Sequence, residues 1–437
     1  MNTSRISSRI GFWLLVWGLL DLLCAMFCEI HADEAYYRLY GQFLDWGYFD
    51  HPPMVGLMTA LSASMVHGTS LILKNLSVRL VTVLLHVATV YVIWKTIDQD
   101  QVSNPKSQIA KFLLLSASIP MFCVYGFMTT PDAPLLFFTA LFYYAYRRYL
   151  ADNRWSMAIL LGLSMAGMLY SKYIAVLVIV FTLLGNWRLL KDGKAWAAVG
   201  IALVLMLPHL WWQYANNFPS FTYHLVSRAT AYQSLYTFEF IPNQWAVFNP
   251  VVWILMIWLS IWQISRGDAF GRSAACTILG MQVFFLLMSF RGHVEPHWTI
   301  ASSIPAIILL TEEKSVWQRG WKIALSTCVG LILVARVILM LNILPAQTGL
   351  AHKQAFYEQL HNEADGKPVV FDGSFQAPSL YRFFYNDEAV LVRNAGDRYT
   401  QYDLLHLERE LLGKPACVRR KGKVYIVPQL TEEDLRE

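Results

Sequence analysis

Apolar stretches long enough to cross a bilayer recur along this chain from its first residues to about residue 345. A crossing helix needs roughly 20 apolar residues, and inside lipid only helices and closed barrels satisfy every backbone polar group. Eleven segments meet that description, near 10–28, 75–95, 109–127, 133–150, 155–170, 173–188, 195–213, 246–264, 273–290, 298–311 and 321–344; the fifth, sixth and tenth are short. A further apolar piece, 54–66, is too short to cross and is expected in or beside the interface. Composition agrees: 56% of the 437 residues are hydrophobic and 15% charged, against about 25% charged in soluble domains. The expected fold class is a multi-pass α-helical membrane protein with about 11 transmembrane helices.

Lys and Arg in short loops set orientation. Alternate connections are basic, carrying Lys95, Lys106 and Lys111, then Arg147, Arg148 and Arg154, then Arg188, Lys191 and Lys194, then Arg266 and Arg272, and finally Lys314, Arg319 and Lys322. This places the N-terminus in the cytoplasm, and the 29–74 outer loop and the C-terminal tail outside. The net charge of +5 is spread over those loops, which reads as topology and argues against a nucleic-acid partner. The N-terminal apolar run exceeds the h-region of a signal peptide, and "EIHADE" lacks a small-x-small cleavage site, so it reads as a retained first span. The six cysteines show no metal or disulfide spacing. After Pro345 short strands ("GKPVVFDGS", "EAVLVR", "GKVYIVPQ") alternate with amphipathic helices ("HKQAFYEQLHNEA", "QYDLLHLERELLG"). Two domains follow: a membrane part over 1–345, and a small extracytoplasmic α/β domain over 346–437.

Ionisable groups at membrane depth are costly unless paired or functional, and the unusual ones gather on the outer side. Asp33 and Glu34 follow the first span, Asp132 opens the fourth in "MTTPDAPLLFF", and Lys172 lies between the fifth and sixth in "YSKYIA". Arg291, His293, Glu295 and His297 lie between the ninth and tenth. Structural roles are open for each. Asp33 would serve as N-cap of "EAYYRLYGQFLDW", with Tyr37 on that helix's apolar face, and Glu34 as a first-turn acid. Asp132 would be a helix-start residue, Lys172 and Arg291 snorkelling cations, and His51 beside Pro52 and Pro53 a turn-packing residue. His293 and His297 have zinc-like spacing, but Pro296 interrupts it and no cysteine supports it. Asp21, His86 and Arg336 fall inside spans, where a polar group usually bonds a neighbouring helix.

Carboxylates and cations together at a bilayer surface suit chemistry on a lipid-linked phosphate. Displacing a sugar from a polyprenyl phosphate needs a base for the acceptor hydroxyl and cations for the departing phosphate. An apolar groove between spans would hold the lipid tail.

"DEAYYRLYGQFLDWGYFDHPPM" closely resembles the first outer-loop motif of polyprenyl-phosphate-sugar-dependent glycosyltransferases of the GT-C fold. Within these it resembles the bacterial branch related to protein O-mannosyltransferases and the lipid A aminoarabinose transferase. "TTPDAPLLFF", "SKYIAVL" and "EPHWTIA" are similar to later segments, so the resemblance runs in order over roughly residues 10–310. It implies that Asp33 is the catalytic base or its partner, that Glu34 belongs to the same motif, and that Asp132 organises the acceptor or the base. Lys172 is expected at the carrier phosphate, with Arg291 and His297 as further candidates; Tyr37, His51, His293 and Glu295 complete the substrate-binding set. The resemblance also implies inversion by single displacement.

The expected protein is thus an enzyme of the bacterial cytoplasmic membrane. It would move a sugar from a polyprenyl-phosphate donor to a lipid, glycan or protein acceptor outside. Two alternatives are a polyprenyl-linked lipid flippase and a non-catalytic assembly subunit. No cofactor is implied; a divalent cation near the carboxylates is left open, with no ligand set evident.

Overall fold

A computed structural model describes residues 3–97, 105–224, 232–385, 387–392, 398–420 and 423–435. The first helix, α1 (Thr3–Phe27), ends at the 28–70 connection, the loop expected outside, which folds into α2 (Ala32–Gln42) and α3 (Met54–Met65) before α4 (Leu71–Thr96). Then come α5 (Pro105–Ala117), α6 (Pro120–Val124), α7 (Asp132–Asp152), α8 (Trp155–Ser171), α9 (Ala175–Gly185) and α10 (Gly193–Ala215). Short α11 (Pro219–Thr222) and α12 (Ser234–Phe238) precede α13 (Phe240–Phe248), α14 (Pro250–Arg266) and α15 (Ala269–Ser289). A 3₁₀ turn, Pro296–Ser302, leads into α16 (Ser303–Glu312), and α17 (Arg319–Met340) closes the bundle.

Among the described residues, five helices are long and apolar enough to cross a membrane: α1 from Arg9, α4, α10, α15 and α17. The number is six if Ser234–Phe248 and Pro250–Arg266, bent by 101°, form one span. Length and composition therefore support five or six spans, although helix occupies all eleven expected positions. The 109–127 segment breaks where Pro120 starts α6, and α8, α9 and α16 are 17, 11 and 10 residues long. A helix walled in by protein needs neither full length nor a lipid-facing apolar surface; all ten residues of α16 except Glu312 are buried.

The final helix is held differently. Of α17 only Leu325 and Arg336 are buried, so Arg336 carries much of its attachment. Its guanidinium lies 2.8 Å from Asp21 on α1 and donates to the Cys123 carbonyl at 2.7 Å. The other Asp21 oxygen accepts from His86 Nδ1 of α4 at 2.7 Å. These three span residues, expected to bond neighbouring helices, bond one another. Gly126 packs so closely on them that a Cβ there would collide with the His86 ring. Arg336→Met is expected to cost roughly 1–3 kcal/mol, the penalty for stranding buried polar partners, and to speed protease cleavage after α17. Limited proteolysis checks it; an unchanged rate would mean that α17 is held by lipid-facing packing alone.

The chain after Pro345 forms a four-stranded sheet in the order β2-β1-β3-β4: β1 (Val369–Asp372), β2 (Val390–Val392), β3 (Ala416–Arg420) and β4 (Lys423–Val427). β1 runs parallel to β2 and β3, and β4 is antiparallel to β3. Helices α18 (Lys353–Phe356), α19 (Glu358–Ala364), α20 (Gln376–Phe384) and α21 (Gln401–Leu405) accompany it. The expected strands and amphipathic helices appear; β3 and α20 were not expected. Phe371, Tyr381 and Phe384 share one apolar cluster with Tyr36, Leu39 and Tyr40 of α2, so this unit is built onto the outer loop.

Candidate active site

The site is organised by a buried ion pair where α1 ends. Glu34, fully buried, accepts from Arg79 Nε at 2.7 Å, Arg79 Nη2 at 2.6 Å, the His31 amide at 3.0 Å and the Thr129 amide at 2.9 Å. Burial pushes its carboxyl up, but Arg79 and these donors outweigh that and hold it below its ordinary value. The remaining Arg79 donors reach the carbonyls of Ala25, Cys28 and Glu29, the orphan acceptors at the end of α1. One pair thereby fixes α1, α2, α4 and the loop leading to Asp132. The Glu34 carboxylate is fully engaged, and it fills the first-turn role considered for it as the reciprocal half of the cap.

The N-cap of α2 is His31, not Asp33: its Nδ1 accepts from the Asp33 amide at 3.2 Å. Asp33 is thereby released from capping, and its side chain is 39% exposed, 3.7 Å from His31 Nδ1. Enough protein surrounds it that burial raises its carboxyl above the ordinary value, only partly countered by His31 and Gln376.

Across from it, Asp132 starts α7 and is buried, with both carboxylate oxygens 2.8 Å from Lys172 Nζ. Each partner sits where its helix dipole favours it: Asp132 in the first turn of α7, Lys172 at the C-cap of α8. His297 Nε2 lies 3.7 Å from Asp132. Lys172 is thus an ion-paired buried lysine and not the snorkelling anchor considered above.

Between these groups stands Tyr37, whose hydroxyl shares a hydrogen bond with His51 Nε2 at 3.2 Å. Burial, and then the charges of Asp33, Asp50 and Asp132, push the Tyr37 phenol well above its ordinary range. Three carboxylates thus lie near enough to act on one phenol. Burial takes the His51 imidazole down to about 3, so it is neutral at physiological pH.

Asp50 was not anticipated. It is buried, accepts from the Tyr40 hydroxyl, and pairs with Arg398 from the chain after Pro345. Burial pushes the Asp50 carboxyl up, but His51 and Arg398 prevail and hold it low. Arg398 also stacks on Tyr223 and Phe375, 4.4 and 5.2 Å from the ring centres, while His224 Nε2 lies 2.9 Å from the Asp50 carbonyl. Asp45 accepts from Trp212 Nε1 at 2.7 Å, and His209 Nδ1 meets the Trp46 carbonyl at 2.7 Å, tying the outer loop to α10.

The structure therefore assembles Asp33, Tyr37, His51, Asp132, Lys172 and His297. Arg291 is exposed just beyond the end of α15. His293 Nε2 faces Glu295 at 3.6 Å. Among the described residues no three His, Cys, Asp or Glu side chains group as a metal site.

Residues 50–212 match the dolichyl-phosphate-mannose-protein mannosyltransferase family. The structure superposes on ArnT from Cupriavidus metallidurans in the apo state with a TM-score of 0.66 at 14% identity, covering 94% of this chain and 93% of that one. The chain has the fold of that ArnT. The same ArnT bound to undecaprenyl phosphate gives a TM-score of 0.65, also at 14% identity, over 95% and 93% of the two chains. A lipid A galacturonosyltransferase, RgtD of Rhizobium johnstonii, is 25% identical over 312 residues, 68% of this chain. That match spans 63% of the length of RgtD. The chain is a multi-span membrane protein whose candidate site gathers at one end of the helices.

Proposed function

We propose that this protein is a membrane glycosyltransferase that moves a sugar from a polyprenyl-phosphate donor to an acceptor hydroxyl at the extracytoplasmic surface. The observation that carries the reading is the placement of a raised, part-exposed carboxylate (Asp33) across Tyr37 from the Asp132–Lys172–His297 group. A base and a cationic group facing one space are what single displacement from a phosphate requires. The likeness to RgtD and to an ArnT that binds undecaprenyl phosphate supports a lipid-linked donor and favours a lipid acceptor.

In this mechanism Asp33 takes the proton of the acceptor hydroxyl as its oxygen attacks the anomeric carbon. The bond to phosphate breaks on the opposite face, so configuration inverts, and the polyprenyl phosphate leaves with its electron pair. Lys172 stabilises the charge developing on that phosphate, with His297 beside it, while Asp132 fixes the ammonium in place. Tyr37 and His51 shape the space between, and Glu34 and Arg79 hold both halves in register. Arg291, His293 and Glu295 stand at the margin, where they would meet the outer parts of a substrate.

The test is to incubate the purified full chain with a panel of polyprenyl-phosphate sugars and a bacterial lipid extract, following release of polyprenyl phosphate by mass spectrometry. Acceptor-dependent release is expected with at least one donor; carrier binding without release from any donor would favour the flippase reading. In the same assay Lys172→Ala is expected to cut donor kcat/KM by roughly 10²–10³-fold, the effect of removing one preorganised charge-stabilising donor. An unchanged donor dependence would leave Lys172 as a purely structural partner of Asp132.

A further inference from the structure

At the other end of the same helices lies a second space. A cavity of about 970 Å³ opens there. On α7, Arg147 is 15 residues beyond Asp132, which at 1.5 Å per residue puts the cavity roughly 22 Å from the candidate active site. Lys95, Lys111, Arg148, Arg266 and Lys314 line it, one each from α4, α5, α7, α14 and the turn after α16, together with Arg147 and the carboxylates Asp268, Glu312 and Glu313.

Its floor is rigid. Arg147 pairs with Glu312, its Nη2 donating at 2.9 Å, and donates to the Thr96 carbonyl at 2.6 Å while stacking 4.0 Å from the Phe270 ring centre. Each lining carboxylate is thereby or otherwise engaged: Glu312 by Arg147, Asp268 by the Gly271 amide at the start of α15, and Glu313 by the amide and hydroxyl of Ser315. Among the described residues none of the other five lining cations has a carboxylate within ion-pair distance. Arg148 and Arg266 rest instead on aromatic rings of their own helices, 5.8 and 5.6 Å from Tyr144 and Trp262. Basic residues at this end are needed for topology, but topology asks only for charge on one side. It does not ask that cations from five elements converge on one cavity, where six lining Lys and Arg against three carboxylates leave a net positive charge that an anion would offset.

We propose that this cavity is an anion site for a phosphate-bearing ligand, separate from the candidate active site and independent of the reading given for it. Guanidinium and ammonium groups held on aromatic platforms suit phosphate oxygens, and the volume admits a headgroup larger than one phosphate.

The test uses the full chain in phosphatidylcholine nanodiscs and reads the ligand-dependent rise in unfolding temperature. One arm adds phosphatidylglycerol to the bilayer; the other adds inorganic phosphate or pyrophosphate at constant ionic strength. Arg266→Gln with Lys314→Gln removes two exposed lining charges. Arg188→Gln with Lys191→Gln removes two charges at the same end but outside the cavity. The half-saturating ligand concentration is expected to rise roughly tenfold or more for the cavity double, two cations near a lipid surface being removed, and to stay near wild type for the control. A response to phosphatidylglycerol alone identifies a lipid headgroup, and a response to phosphate a soluble anion; both support the site. Equal responses in wild type and cavity double, or equal losses in the two doubles, would overturn it. Lys95→Gln, at an exposed position, repeats the test should the cavity double fail to fold.

Discussion

Asp33→Asn is expected to lower transfer roughly 10²–10⁴-fold, the usual contribution of a positioned general base, with unfolding temperature and carrier-lipid binding near wild type. The amide keeps the shape of the carboxylate and loses only its basicity. The fold should tolerate the change because His31 caps α2, and the nearest ion-pair partner of Asp33 is 3.7 Å away at a part-exposed position. The direction of the Asp33 shift also sets a pH dependence. A raised carboxyl stays protonated to higher pH, so activity is present above the raised value and is lost as pH falls through it. The acidic limb of kcat/KM should therefore lie above an ordinary aspartate, and the Asn variant should lack it. A variant turning over at near-normal rate would reduce Asp33 to a surface carboxylate.

Arg79→Met is expected to destabilise the protein by about 3–5 kcal/mol, because removing one member of a buried pair leaves its partner uncompensated. Here the partner is Glu34, and the carbonyls ending α1 lose their donors as well. Glu34→Gln should destabilise too, since it leaves the Arg79 charge buried without a counter-charge and sets an amide NH2 against a donor. The double variant should recover part of the Arg79→Met loss, because no buried charge is then left alone. Equilibrium unfolding in detergent measures all three. The linkage sign follows from Glu34, whose folded carboxyl lies below its unfolded value. The stability it confers is present above the unfolded pKa and is lost as pH falls through the folded one. Wild-type stability in Arg79→Met would mean that the pair holds nothing together.

How much of this was readable in the chain differs residue by residue. The helical membrane class was readable because runs near 20 residues leave few alternatives, yet the number of spans was not. A broken segment such as 109–127 and a walled-in helix such as α16 look alike in sequence. Asp132, Lys172 and His297 were recognisable as costly charges at one lip, and the structure joins them. Asp33 and Glu34 were inseparable on paper: adjacent carboxylates on one helix turn point apart, and only the fold shows which one meets an arginine. Arg79 went unnoticed because it lies inside an apolar span, although that rarity was itself a signal. Asp50 stands beside His51 in the quoted motif, but its partner Arg398 is 348 residues away. Long-range pairs of this kind leave no local trace, which is also why the chain after Pro345 read as a separate unit and not as a wall of the outer loop.

The most direct measurement is a single-turnover experiment with enzyme preloaded with a radiolabelled polyprenyl-phosphate sugar and mixed with acceptor lipid, wild type beside Asp33→Asn. The account predicts label appearing in acceptor with wild type only, while both proteins retain the carrier equally. Label moving at equal rates in both would contradict it.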